Sequence, residues 1–263
     1  MHQATNWSWA EKRMPFLNTE IDNVTMKEAV SCVRELALKG DGSYVVTPNA
    51  DHIVKLETDE MFAEVYAHAD LILTDGKPLV WISRWLHTPI VEKVSGSDLF
   101  PLVCEMAAGE NLKVYFLGAA PGVAAKAAEV LKEKYEGLNV AGTFSPALGF
   151  EKDPQQITEI CEMLQRAKPD ILFLGLGSPK QEIFYYKIRE KLHIPVTLHV
   201  GASFDFVAGN VRRAPKWMSN AGLEWLYRLC REPKRMFKRY IVDDMQIFRI
   251  YLKYNRSQNR NQK

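Results

Sequence analysis

Six short apolar runs, residues 44–47 (YVVT), 71–74 (LILT), 114–118 (VYFLG), 139–144 (NVAGTF), 171–175 (ILFLG) and 196–201 (VTLHVG), alternate along the chain with segments of helical spacing. Short apolar runs separated by helices predict an α/β fold, a Rossmann-like parallel sheet with helices on both faces. Met26, Ala29, Val30, Val33, Leu36 and Ala37 recur at three and four, the spacing of one helical face, and residues 39–42 (KGDG) supply a stop. The first β-α unit is therefore expected to begin near Tyr44.

The pattern changes after Val207, where arginine and tryptophan become frequent, so a boundary near Asn210 divides a body (1–209) from a helical C-terminal appendage (210–263). Leu223, Leu226, Tyr227 and Cys230 share one helical face, Glu224, Arg228, Arg231 and Arg235 another, and Pro233 should end or kink that helix. From about residue 234 to 254, apolar Phe237, Ile241, Phe248 and Leu252 recur between basic Lys234, Lys238, Arg249 and Lys253. Two readings of this amphipathic segment stand: it lies on an anionic leaflet, or its apolar face packs on the body or on a neighbouring subunit. Residues 255–263 (NRSQNRNQK) are expected to be disordered.

Charge sharpens the division. Residues 210–263 hold 14 Lys and Arg against 4 Asp and Glu, a balance of +10, whereas the 263-residue chain carries only +2 and residues 1–209 therefore −8. A body of net charge −8 joined to a strongly basic element suits an anionic surface, membrane or nucleic acid, met by that element. No stretch approaches the ~18 apolar residues of a membrane span, and the N-terminus lacks a signal-type apolar run, so a cytoplasmic protein, soluble or peripheral on the membrane, is expected. Cys32, Cys104, Cys161 and Cys230 are widely spaced with no CxxC pair, which reads as reduced, buried thiols rather than a zinc site.

In open parallel sheets ligands bind beyond the carboxyl ends of the strands, so polar residues just after each run are the candidates. Thr47, Asn49 and Asp51 follow the first run, with helix capping as the plain role of Asn49 or Asp51. Asp75 follows the second, a carboxylate held by the scaffold and ionised at neutral pH, as a general base must be. Gly118 opens residues 118–122 (GAAPG), a weak phosphate-loop signal without the GxGxxG spacing. Gly175, Gly177, Lys180 and Gln181 sit in the turn after the fifth run, and Gly201 and Asp205 follow the sixth. Arginines dense enough for bidentate phosphate contacts come next, and no Walker A lysine, HExxH, GxSxG or metal-holding DxD appears.

The ordered set TPNADHIV, TDGKPLVW, SGSDLFP, FLGAAPGVAAKAA, LGLGSPKQE, VGASFDFVAG, RRAPKWM and GLEWLYRLCREPKRMFKRY resembles the WecG/TagA/CpsF family of bacterial glycosyltransferases, over residues 15–250 or so. The resemblance implies inverting transfer of N-acetylmannosamine from a UDP donor to an undecaprenyl-diphosphate-linked N-acetylglucosamine acceptor. This would take place on the inner face of the membrane, in wall teichoic acid or surface polysaccharide synthesis. Other UDP sugars, the N-acetylmannosamine uronate or glucose, are the alternative donors. It further implies an appendage that closes over the active site, oligomeric assembly, and no cofactor. Carried over by motif, Asp75 is the base, with Thr47 and Asn49 near the reacting sugars and Gln181 facing the same pocket. Arg228 and Arg235, helped by Arg231 and Lys238, would neutralise the departing UDP without a metal ion. Lys238 is a point charge where an arginine would have been bidentate. Asp205 and the glycines at 118, 175, 177 and 201 are assigned to substrate binding, chiefly on the uridine side.

Two other classes compete. A non-catalytic nucleotide- or nucleic-acid-binding protein would use the basic aromatic tail on phosphates and bind with strong salt dependence. A dinucleotide oxidoreductase would use the Gly118 turn, but the glycine fingerprint and the acidic ribose ligand are missing. Under the glycosyltransferase reading no nucleic-acid partner is expected.

Overall fold

The computed structural model describes residues 9–215, 217–218, 223–231, 233–237 and 244–261, apart from the side chains of residues 10, 235, 236, 244 and 257–261. A hairpin, β1 (Arg13–Phe16) and β2 (Thr19–Asp22), precedes the sheet. The sheet strands are β3 (Ser43–Val46), β4 (Leu71–Ile72), β5 (Lys113–Gly118), β6 (Asn139–Phe144), β7 (Ile171–Gly175) and β8 (Val196–His199). They run in the order β4-β3-β8-β7-β5-β6, every pair parallel.

Both faces of the sheet are covered, which is why its strands read as nearly unbroken apolar runs. Tyr44, Val46, Leu172 and Leu174 point to one core, and Val45, Phe116, Phe173 and Leu198 to the other. The first core is closed by α2 (Ala50–Lys55), α3 (Glu60–Ala67), α4 (Lys77–Trp85), α7 (Pro154–Ala167) and α8 (Lys180–Ile188). The second is closed by α1 (Met26–Lys39), α5 (Gly96–Gly109), α6 (Val123–Lys134) and α9 (Ser203–Val207). In the second, Phe100, Phe116, Phe173 and Phe204 meet at ring separations of 4.7–5.6 Å, which ties α5 and α9 to the middle of the sheet.

Helix α1 forms where its periodicity predicts. Thr25 and Glu28 make a reciprocal capping box, and Gly40 ends the helix at φ 77°. The hairpin lies ahead of the first predicted unit and carries no long apolar run of its own. It is anchored by polar contacts: buried Asp22 accepts both Nε (3.0 Å) and Nη2 (2.9 Å) of Arg13 and the Ile72 N–H (2.7 Å), which docks β2 beside edge strand β4. This bidentate carboxylate raises the Arg13 pKa further.

Beyond α9 come α10 (Glu224–Arg231), α11 (Pro233–Phe237) and α12 (Ile247–Asn261). Pro233 opens α11 just past the end of α10, the break its ring demands. Among the described residues of the amphipathic segment expected over 234–254, α11 spans Pro233–Phe237 and α12 begins at Ile247 after a 3-10 turn (Asp244–Gln246), and the expected face divides. Ile247 and Ile250 of α12 are buried in the first core, whereas Phe248 and Leu252 stay exposed. Ile241 lies outside the described residues. Of the two readings, α12 therefore follows packing on the body, and Lys253 adds an ion pair to Glu57 at 2.6 Å. The expectation of disorder from residue 255 is corrected as well, since the helix continues to Asn261. Cys32, Cys104 and Cys161 are buried free thiols as expected, but Cys230 is exposed because α10 buries none of its residues.

Candidate active site

The loops leaving β3, β4, β7 and β8 converge over the carboxyl edge of the sheet and enclose, with α10 and α12, a cavity of about 510 Å³. That is within the range of cofactor and substrate pockets. Thr47, Asn49, Asp75, Gly177, Gln181, Gly201 and Arg228, drawn from segments far apart in sequence, all line it.

Asp75 lies three residues beyond Ile72 of β4. Its N–H donates to the Pro48 carbonyl at 2.8 Å and the Leu73 N–H to that of Val46 at 2.9 Å, so the loop after β4 is laced to the loop after β3. The Thr47 hydroxyl donates to the His199 carbonyl at 3.2 Å, which ties β3 to β8 on its other side. Asn49 caps α2, accepting the His52 N–H on its side-chain oxygen, and still borders the cavity. Burial pushes the Asp75 carboxyl up to about 6, partly opposed by Lys93, raised again by Glu224 and lowered by Arg228. It remains mostly ionised at neutral pH yet is a stronger base than a solvated aspartate.

Gln181, at the start of α8, is buried and donates its side-chain N–H to Glu182 Oε1 at 2.8 Å. The amide oxygen, Gln181 Oε1, meets no hydrogen-bond partner among the described residues. Burial drives the Glu182 carboxyl up to about 7, with the Gln181 amide acting in the opposite direction. Gln181 thus offers the cavity an amide whose orientation is set by an acid behind it.

Arg228 reaches the cavity from α10. Its guanidinium lies 4.9 Å from the centre of the Phe206 ring and 3.6 Å from the Glu224 carboxylate one turn earlier. Arg213 stacks on the same ring at 5.5 Å and bonds both the Asp98 carboxylate and the Ser97 carbonyl. Phe206 is therefore a platform for two guanidiniums where the chain passes from body to appendage. Arg231 packs over Tyr227 at 5.7 Å, is exposed, and does not line the cavity. The Arg235 side chain and Lys238 lie outside the described residues.

Gly118 and Gly175 are not among the lining residues; they face each other across β5 and β7. A Cβ on Gly118, at φ 129°, would stand 2.5 Å from the Gly175 carbonyl, and one on Gly175 would stand 2.7 Å from the Phe204 ring. Close packing accounts for both, whereas Gly177 and Gly201 do border the cavity. Asp205 sits on α9 away from the lining, and its main-chain carbonyl accepts the N–H groups of Asn210 and Val211.

Lys93, Glu182, Phe206, Arg213 and Glu224 carry much of this arrangement but escape the sequence reading. Glu182, Phe206, Arg213 and Glu224 sit inside the quoted motifs, which could have flagged them, and only Lys93 lies outside. The cavity also has an apolar end, formed by Trp81, Ile82 and Trp85 of α4 with Met245, Ile247 and Phe248 opposite. Trp85 meets Phe248 at 6.3 Å and Tyr251 at 5.7 Å between ring centres. Among the described residues no three His, Cys, Asp or Glu side chains gather as a metal site would, and no helix is long and apolar enough to cross a membrane.

Comparison with known proteins agrees with the motif order. The chain is 34% identical over 194 residues to the N-acetylglucosaminyldiphosphoundecaprenol N-acetyl-beta-D-mannosaminyltransferase of Bacillus spizizenii, covering 74% of this chain and 73% of that one. The enzyme of the same name from Bacillus subtilis is 30% identical over the same length and coverage. The model of the glycosyl transferase WecG/TagA/CpsF family matches residues 14–261, and the chain belongs to that family.

Proposed function

We propose that the protein transfers N-acetylmannosamine from a UDP donor to N-acetylglucosamine carried on a polyprenyl diphosphate, with inversion and without a metal ion. The observation that carries this reading is Asp75: a carboxylate at a strand end, on a cavity wall, raised to about 6 by burial with Lys93 opposing. Asp75 takes the proton from the acceptor hydroxyl as its oxygen attacks the anomeric carbon. The bond from that carbon to the UDP oxygen breaks on the opposite face, and the electron pair leaves with UDP.

Arg228 on its Phe206 platform supports the charge that develops on the diphosphate, and Arg235, Arg231 and Lys238 follow it in the same basic stretch. Thr47, Asn49 and Gln181 hold sugar hydroxyl and acetamido groups. The appendage, from about Asn210, is the lid, latched to the body through Arg213 and Asp98. Of the glycines only Gly177 and Gly201 remain candidates for ligand contact. The lipid-linked acceptor and the +10 appendage support a working position on the inner membrane surface.

The test is UDP release from UDP-N-acetylmannosamine with a short-chain lipid-diphosphate N-acetylglucosamine acceptor, with and without EDTA. Acceptor-dependent, EDTA-resistant release is the expected result. Release abolished by EDTA would refute the metal-free mechanism, and no release across a panel of UDP sugars would refute the transfer itself.

A further inference from the structure

We propose that the exposed aromatic face of α4, with Met245 and Phe248 opposite, is the binding track for the isoprenoid chain of the acceptor. This rests on the transferase reading above and assigns a part of the acceptor that the catalytic residues do not hold.

The argument is one of order along a single helix. Helix α4 begins two residues after Asp75, and Lys77, Trp81 and Trp85 are four residues apart, so all three fall on one face. At 1.5 Å per residue the face runs about 12 Å from Lys77 to Trp85. Starting at Asp75 it presents a carboxylate, then an ammonium group joined in the lining by Lys93, then two indoles. A lipid-linked sugar has the same sequence of chemistry: a hydroxyl to be deprotonated, a diphosphate, then a hydrocarbon chain. The relatives' names place a diphosphate and a polyprenol on their acceptor in that order.

Exposure supports the assignment. Trp81 is 39% exposed, Trp85 47%, Met245 52% and Phe248 42%, although the buried Ile82 and Ile247 lie beside them in the same cavity. Large exposed apolar side chains gathered at a cavity mark a binding surface more often than isolated exposed ones do. The exposed Arg84 and Arg249 stand on the same two helices, so the track is apolar along its length and basic at its margins, as an amphiphile entering from an anionic leaflet requires. Each methylene withdrawn from water strengthens binding about fourfold, so a short track suffices to discriminate chain length.

The experiment compares two acceptors with the same N-acetylglucosamine diphosphate head, one with a butyl tail and one with a farnesyl tail. Three proteins are used: the full chain, Trp81→Ala, and Trp85→Ala/Phe248→Ala. Trp81→Ala leaves the Trp85–Phe248 and Trp85–Tyr251 ring contacts intact, and a retained thermal shift with UDP certifies the fold of each variant. Expected is a KM for the farnesyl acceptor raised about tenfold by either variant, with the butyl acceptor and kcat little changed. In parallel, farnesyl diphosphate alone should quench tryptophan fluorescence in the wild type and far less in Trp81→Ala, which tests the track even if no transfer is detected. Equal losses on both acceptors, or unchanged KM and quenching, would overturn the proposal. So would a variant that loses only liposome binding or self-association while its tail preference persists, for then the bilayer or a second copy covers this face.

Discussion

Replacing Asp75 with asparagine should make the protein more stable while stopping its chemistry. The carboxyl is raised from 3.8 to about 6, chiefly because burial strips its water. A group whose folded pKa lies above its unfolded value holds its proton more tightly in the native state. Between about pH 4 and 6 the native state therefore binds more protons, and stability falls as pH rises through that window. At 1.36 kcal/mol per pKa unit the full cost at neutral pH is about 3 kcal/mol, and water admitted by the open cavity trims it to about 2 kcal/mol. A neutral amide at this position would carry no such cost. In a chain of this size that corresponds to a Tm about 4–6 °C higher at pH 7.5, with the gap closing below about pH 4. Thermal unfolding of the two proteins across pH 4–8 reads this directly. The same substitution should lower kcat by about 10²–10⁴-fold or more and leave UDP affinity within a few-fold. Equal stability at pH 7.5, or a gap that does not depend on pH, would refute the desolvated-base account, and retained turnover would remove Asp75 from the chemistry.

Three further outcomes are expected. Because Lys93 lowers and Glu224 raises the Asp75 pKa, the acid limb of kcat/KM should move to higher pH in Lys93→Met and to lower pH in Glu224→Gln; shifts of one sign in both would contradict the electrostatics. Glu182, with its carboxyl raised from 4.5 to about 7 by burial, costs stability as pH rises through that interval, so Glu182→Gln should gain up to about 3 kcal/mol in urea unfolding at pH 8 and almost nothing at pH 4. Gly118→Ala forces a Cβ to 2.5 Å from the Gly175 carbonyl at φ 129° and should cost about 3–5 kcal/mol in the same assay while the UDP-induced thermal shift of the folded fraction survives; a stable variant that loses UDP would return Gly118 to ligand binding.

The parallel sheet was legible because burial on both faces removes polar residues from the strands, leaving runs such as ILFLG that only a covered sheet explains. Helix α1 was legible because its cap, face and stop are all local. The hairpin was not, because its place depends on Asp22 reaching Ile72 some 50 residues away, a contact with no local signature. The division of α12 escaped for a related reason. Spacing identifies an apolar stripe, but the body's shape selects Ile247 and Ile250 for the core and leaves Phe248 and Leu252 outside.

At the site, residues that follow strands were recoverable because a parallel sheet gathers all its carboxyl-end loops on one edge. That rule unites Thr47, Asn49, Asp75, Gly177, Gln181 and Gly201 with no knowledge of distances. The same rule overreached at Gly118 and Gly175, because a glycine at a strand end serves close packing as readily as ligand approach. In this fold the Phe204 ring claims the space beside Gly175. The rule also fell short at Lys93, Glu182 and Glu224, which act by charge through space rather than by standing at a strand's carboxyl end. Asp75 shows what this leaves out. Its proposed role was read from its place after a strand, but its raised pKa follows from its burial, with Lys93, Glu224 and Arg228, contributed by separate segments of the chain, adjusting it. Two of those groups, Glu224 and Arg228, belong to α10, so a movement of the appendage changes the charge felt by the base as well as the access of water to it. In the proposed roles of appendage and Asp75, closure over the cavity and tuning of the Asp75 pKa are one event, and removing α10 should shift the pH profile of any residual turnover as well as its magnitude.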